Sequence, residues 1–349
     1  MLALTIEPGT PNSARLEQVG EPPESDGAVL VRTLAIGICG TDGDLIAGHD
    51  GKPPDGESRL ILGHESIGIV EVAPKDCGLV PGDFVAGIVR RPDPVPCAAC
   101  GAGEWDMCLN GLYTERGITA RHGFASERFR IEPEFAVKVT PSLGSLGVLL
   151  EPASVLAKAW DHIRAIGGRA AWAPERVLIT GAGPVGLLAA LMGVQQGYEV
   201  HVFDRNERGS KPDLVQALGA AYHTDLDSVR FAPDIVLECT GATSVVLRVM
   251  TFTAHNGIVC LTGAPPKRRV VSMDLGQFSR DMVTENSVIF GSVNANRRHF
   301  ELAADALGRA DRGWLERLIS RRVGIDNWRD ALHRRPGEVK VVLDFDKSS

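Results

Sequence analysis

The sequence predicts a two-domain α/β protein: a β-rich unit comes first, then a doubly wound parallel sheet, then a C-terminal segment returning to the first unit. Three observations predict this. The chain has 349 residues, more than one hydrophobic core ordinarily organises. Residues 1–90 carry short alternating apolar segments broken repeatedly by Pro and Gly, the pattern of compact β structure. From Arg176 onward, short apolar strands alternate with helical stretches, the pattern of a parallel sheet covered on both faces.

In the first unit the alternating segments are 15–19, 28–36, 66–72 and 83–89, interrupted at Pro22-Pro23, Pro53-Pro54 and Pro81-Gly82. The spacing predicts a distorted barrel. Between an apolar run at 60–62 and the strand that follows lies Gly63-His64-Glu65-Ser66. Neighbouring side chains on a strand point to opposite faces, so His64 and Glu65 converge only at a turn or bulge, which the glycines permit. Alone, such a pair reads as solvated or structural. Cys39, on the loop after the second strand, and Glu151 change the balance, because thiolate, imidazole and carboxylate make an open catalytic zinc site. Thr41 is a candidate proton-relay hydroxyl; Thr41 or Asp42 could equally cap a short helix through Leu45-Ile46-Ala47. Cys77, outside any ligand spacing, reads as a buried small apolar residue.

Residues 92–108 are rich in Pro and Gly and hold Cys97, Cys100 and Cys108. Such a loop has no core of its own, so a zinc ion would supply its stability; local packing without metal is the alternative. Residues 152–166 read as an amphipathic helix joining the two domains.

The second domain opens with a strand at 177–180, followed by Gly181-Ala182-Gly183-Pro184-Val185-Gly186 and a helix over 187–196. A glycine-rich turn is weak evidence alone, but between strand and helix it is the dinucleotide fingerprint. Gly181 permits the turn, Gly183 the approach of a pyrophosphate, and Gly186 close packing of the helix. Asp204 ends the next strand, near the expected spacing of roughly 20 residues for a ribose-binding acid. The alternation continues with a helix at 210–218, a strand at 234–239 ending at Thr240-Gly241, a helix at 244–253, a strand at 258–262 ending at Gly263, and a strand at 288–291. Strand ends of this kind bind ligands, so Thr240, Gly241 and Gly263 are candidate cofactor contacts. The tail reads as apolar residues at 314–323, a helix near 328–333 and a strand at 339–343.

Apolar residues are 44% and charged residues 23%, with net charge −7, which predicts a folded globular protein and argues against nucleic acid or a membrane as partner. No apolar run is long enough to span a bilayer, and the N-terminus lacks the features of a signal peptide. Seven cysteines, three of them crowded together, point to metal ligation in a reducing compartment, so the expected location is cytoplasmic.

Taken in order, Cys39-Gly40-Thr41-Asp42, Gly63-His64-Glu65 and Pro81-Gly82-Asp83-Phe84-Val85 resemble the zinc-dependent medium-chain dehydrogenase/reductase family, over nearly the whole chain. Within it, Leu150-Glu151-Pro152-Ala153-Ser154-Val155 and Tyr113-Thr114-Glu115-Arg116-Gly117-Ile118 resemble the archaeal-type glucose dehydrogenases. The resemblance implies a GroES-like catalytic domain over 1–158 with a lobe at 92–110, a Rossmann domain over 159–291, and a returning segment over 292–349. It implies a catalytic zinc at Cys39 and His64 with Glu65 or Glu151 as further ligand. It also implies sugar contacts from Glu115, Glu151 and His299, and Asn294 near the nicotinamide. The family's lobe uses four cysteines; Asp93 could replace the missing one. The turn contacts would be Gly181, Gly183, Pro184, Val185 and Gly186. Asp204 favours NAD, while Arg205 could accept the extra phosphate of NADP.

The implied reaction is oxidation of D-glucose or a close aldose at C1, giving the lactone, in a homodimer or homotetramer. The alternatives are a dehydrogenase of another polyol, nucleoside-type or amino-alcohol substrate, and a non-catalytic dinucleotide-binding module.

Overall fold

The computed structural model describes residues 1–264 and 270–345. The chain forms two compact units. One comprises Met1–Ser154 together with the segment from Asn294 on; the other is Val155–Val293. The mixed architecture is the expected one, a β-rich unit and a parallel-sheet unit.

The first unit is built on a seven-stranded sheet. Its order is Ala136–Val139, Phe84–Gly87, Glu65–Val72, Val29–Ile38, Lys340–Asp344 and Ile319–Gly324, with Arg128–Ile131 pairing on Val29–Ile38. Every pair is antiparallel except the last two strands of that order. Val29–Ile38 is the hub, and side chains along it alternate between buried and half-buried over most of its length, as a strand packed on one face requires. Its pairing puts Gly37 opposite Glu65 and Ile38 opposite Val341. The loop at Cys39, the Gly63-His64 bend and the C-terminal strand therefore meet at one end of the sheet. Cys77 differs from expectation: it is half-buried in a turn, with its thiol directed at the Leu79 carbonyl.

In the second unit six parallel strands run in the order Ala221–His223, Glu199–Phe203, Arg176–Thr180, Ile235–Glu238, Ile258–Leu261 and Val288–Gly291. The order reverses beside Arg176–Thr180, so the carboxyl end of that strand is the topological switch point. The helix Pro184–Gln195 is buried along its length from Gly186 to Gly193, as a helix apolar on every side must be. Leu178, Val236, Val249 and Val259 form the core beneath the sheet. Among the described residues no helix is long and apolar enough to cross a membrane.

Candidate active site

Cys39, His64 and Glu65 lie together, each offering a ligand atom within 4.8 Å of the others. Cys39 Sγ is 3.0 Å from His64 Nε2. Convergence is possible because Gly63 has φ +87°, bending the chain before the strand resumes at Glu65. A glycine is also required across the sheet: a Cβ on Gly37 would stand 1.9 Å from a Glu65 carboxylate oxygen. The short helix Gly40–Ile46 follows Cys39, which is itself the cap. Asp42 reaches back, its Oδ2 accepting a bond of 2.9 Å from Cys39 N–H. Asp42 thus closes a capping box with Cys39, as one of the two expected caps, while Thr41 occupies the first turn. Asp42 Oδ1 also faces His64 Nδ1 at 3.6 Å, the outer-shell carboxylate that orients a ligating imidazole.

The electrostatics of this pocket favour a cation. Cys39, Asp42, Glu65 and Glu151 are set against His64 and Lys340. Burial disfavours charge on His64, yet Cys39, Asp42 and Glu151 together raise its pKa well above the ordinary value. Burial pushes Glu151 up to about 7, with Glu65 and Asp42 adding to the push against His64 and Lys340. A thiol, an imidazole and carboxylates in excess of their counter-charges fit a divalent zinc ion. Glu151 belongs to this electrostatic neighbourhood but not to the tight group of three.

Glu115 lies on a strand paired with Arg90–Arg91. Its Oε1 accepts from Arg90 Nε at 3.1 Å and Nη2 at 3.0 Å, and from Asn294 Nδ2 at 2.8 Å. Asn294 has φ +62°. His299 is not at an open surface. Only 2% exposed, it is the third residue of the helix Arg297–Gly308, its Nδ1 accepting from Asn296 N–H at 3.3 Å and facing Asp106 Oδ2 at 3.8 Å. The imidazole thus helps to cap that helix through Nδ1. His122 accepts from Ile61 N–H and pairs with Glu57, away from the cysteine–histidine cluster.

In the lobe, the sulfurs of Cys97, Cys100 and Cys108 lie within 4.8 Å of one another. Cys97 Sγ accepts from the N–H groups of Cys100 and Leu109, which hold its thiol down at about 6, while burial pushes Cys100 up to about 11. Three sulfurs so arranged fit a zinc ion. Asp93 does not join them: its carboxylate accepts from Val95 N–H at 2.9 Å and Asn110 Nδ2 at 2.6 Å, so the loop's own donors consume it.

In the second unit Gly181 has φ +93°, and a Cβ on Gly186 would sit 1.7 Å from the Gly181 carbonyl oxygen. Gly183 precedes Pro184 at the start of the helix, whose leading N–H groups have no side-chain cap. Bare N–H groups at a helix start fit a phosphate. Asp204 differs from the simple ribose-binding acid. Its Oδ2 accepts from Ala182 N–H at 2.8 Å and pairs with Lys211 Nζ at 2.9 Å, while Asn206 N–H donates to Oδ1. Burial opposes ionisation, but Lys211, Ala182 and Asn206 outweigh it and hold the carboxyl below the usual range. Lys211 therefore offsets the negative charge that argued against a 2′-phosphate. Arg205 and Thr240 are exposed, Gly241 is buried and Gly263 half-buried.

Sequence reasoning missed Lys211 and also Glu238, which is fully buried and accepts from Thr240 N–H at 2.8 Å and Gly241 N–H at 3.1 Å. The acid before Thr240-Gly241 was the available signal.

Residues 25–141 match the model of the alcohol dehydrogenase GroES-like domain, and residues 144–345 that of the glucose dehydrogenase C-terminus. The glucose 1-dehydrogenase of Methanocella arvoryzae is 39% identical, covering 99% of both chains. That of Thermoproteus tenax is 36% identical, covering 98% of this chain and 99% of its own. Among solved structures, the Haloferax mediterranei glucose dehydrogenase in complex with NADP, Zn and gluconolactone superposes with a TM-score of 0.91. It is 31% identical, and the match covers 99% of this chain and 100% of that one.

Proposed function

This chain belongs to the glucose dehydrogenase family of zinc-dependent alcohol dehydrogenases, and from that membership we propose that it oxidises D-glucose or a close aldose at C1 to the lactone, with a nicotinamide dinucleotide as acceptor. The observation that carries the reading is the Cys39–His64–Glu65 cluster, a half-buried thiol with a buried imidazole and a buried carboxylate, whose ligand atoms lie within 4.8 Å of one another. Bound zinc supplies Lewis acidity toward the C1 hydroxyl, and bound nicotinamide accepts the hydride leaving C1.

The chain's own residues do the rest. Cys39 and His64 hold the metal with Glu65 or Glu151, and Asp42 fixes the imidazole. Thr41, two residues from Cys39, offers a hydroxyl to pass the O1 proton toward solvent. Glu115, Glu151 and His299 bind sugar hydroxyls, and Asn294 lies toward the nicotinamide. Gly181, Gly183, Pro184, Val185 and Gly186 receive the pyrophosphate, Asp204 and Arg205 the adenosine ribose end, and Thr240, Gly241 and Gly263 the strand-end side of the cofactor. NAD is the favoured acceptor, with NADP also accepted. The proposal includes a cytoplasmic homo-oligomer. Supporting association, the lobe exposes Val95 and Leu109, and Leu112 just after it is exposed too.

The test follows reduced-nicotinamide absorbance in metal-replete protein with aldoses, polyols and simple alcohols. Turnover of glucose well above that of simple alcohols is expected. Silence on every sugar would overturn the reading.

A further inference from the structure

Three donors converge on one oxygen of Glu115: Nε and Nη2 of Arg90 and Nδ2 of Asn294 all bond Oε1, at 3.1, 3.0 and 2.8 Å. No hydrogen bond reaches Oε2 among the described residues. A carboxylate has about four acceptor sites over its two oxygens, so loading one oxygen this heavily fixes the rotation of the group and leaves the other unspent. Arg90 is itself held fast. It is 5% exposed, its Nη1 donates to the Asp106 carbonyl at 3.2 Å, and its guanidinium lies 3.6 Å from the centre of the Tyr113 ring. The strand register opposes Arg90 directly to Glu115, so the clamp is built into the sheet rather than hung from a flexible loop.

We infer that Arg90 is a positioning residue for sugar recognition: with Asn294 it occupies Oε1 of Glu115, so that Oε2 alone is presented to a substrate hydroxyl. The inference deepens the function proposed above and rests on Glu115 reading the sugar. An arginine is suited to the task, because its planar fork delivers two parallel donors where lysine delivers one point charge. An oxygen that accepts and cannot donate selects a hydroxyl at one place on the ring. A short alcohol never uses that bond.

The experiment compares Arg90→Met, Arg90→Lys, Glu115→Ala and the Arg90→Met/Glu115→Ala double variant. Each is assayed on D-glucose and on 1-propanol, with KM and kcat resolved separately. Arg90→Met is expected to raise the glucose KM about tenfold with kcat little changed and 1-propanol within about twofold, as loss of an oriented hydrogen bond to a charged group predicts. Arg90→Lys should fall between wild type and Arg90→Met, because the charge stays and the fork goes. In the Glu115→Ala background, Arg90→Met should cost almost nothing more on glucose.

Additive losses in that double variant, or equal losses on both substrates for the Arg90 variants, would overturn the positioning role while the sugar reading stood. If Glu115→Ala itself lost glucose and 1-propanol activity equally, Glu115 would not read the sugar, and both would fall.

Discussion

Lys340 and Glu65 form an ion pair between side chains that are 1% and 3% exposed, although they come from opposite ends of the chain. Two charges this deeply buried are stable only together. In metal-free protein, Lys340→Met should therefore destabilise the fold by about 3–5 kcal/mol, because Glu65 would be left buried and uncompensated. Pairing it with Glu65→Leu should recover much of the loss. Urea unfolding of both variants measures this, and a double variant no more stable than Lys340→Met would refute the account.

Metal removal should separate the two units functionally. Cys39→Ala or His64→Ala should abolish turnover and lower the bound metal, while the affinity for reduced cofactor stays close to wild type. The glycine-rich turn lies in the other unit, so its binding groups are untouched. Elemental analysis and cofactor fluorescence titration check the two halves separately. Near-normal turnover in either variant would remove zinc from the mechanism.

The lobe makes its own claim. Intact protein should carry about two zinc ions per chain, and Cys97→Ser should reduce the count to about one. Asp93→Ala should leave the metal count unchanged and lower stability by roughly 1–3 kcal/mol, through the loss of its bonds to Val95 and Asn110. A single zinc in wild type would show that the lobe holds by packing alone.

Cofactor choice should turn on Lys211. Removing its charge exposes the full negative charge of Asp204 to a 2′-phosphate, so Lys211→Met should lower kcat/KM with NADP about tenfold more than with NAD, the scale of one charged hydrogen bond. The paired measurement with both cofactors decides it. Equal losses would mean that Lys211 only props up the loop.

Acid should weaken the first unit through Glu132. Burial opposes its ionisation, but bonds from Arg91 and the charge of Arg121 hold its carboxyl below the ordinary value of 4.5. A depressed pKa contributes stability that is complete above the unfolded value and lost as pH falls through the folded one. Thermal midpoints should therefore fall as pH drops below about 4.5, and less steeply in Glu132→Gln. Parallel curves for the two proteins would remove Glu132 as the cause.

The two-unit architecture was legible because its signals are local. The turn from Gly181 to Gly186 sits between a strand and a helix that each announce themselves by period, and the glycine at 63 marks the bend beside His64. The partners of those residues were less legible. Nothing near Glu65 in sequence points to Lys340, and nothing near Asp204 says that Lys211 would fold back onto it. Asp93 was misjudged for a related reason. It has the chemistry of a ligand, but the backbone and amide donors nearby claimed it first. Residue type states what a side chain could bind; only the fold decides which claimant reaches it.

The strand Lys340–Asp344 lies beside Val29–Ile38 in the sheet, and that has a consequence for biosynthesis. A ribosome releases residues 155–293 as one continuous piece, so the second unit can fold while the first still lacks a strand. Until residues 340–344 emerge, Ala35–Ile38 keeps an open edge and Glu65 lacks the Lys340 counter-charge. The Cys39–His64–Glu65 cluster therefore gains its Lys340 counter-charge only after every residue of the second unit has been synthesised.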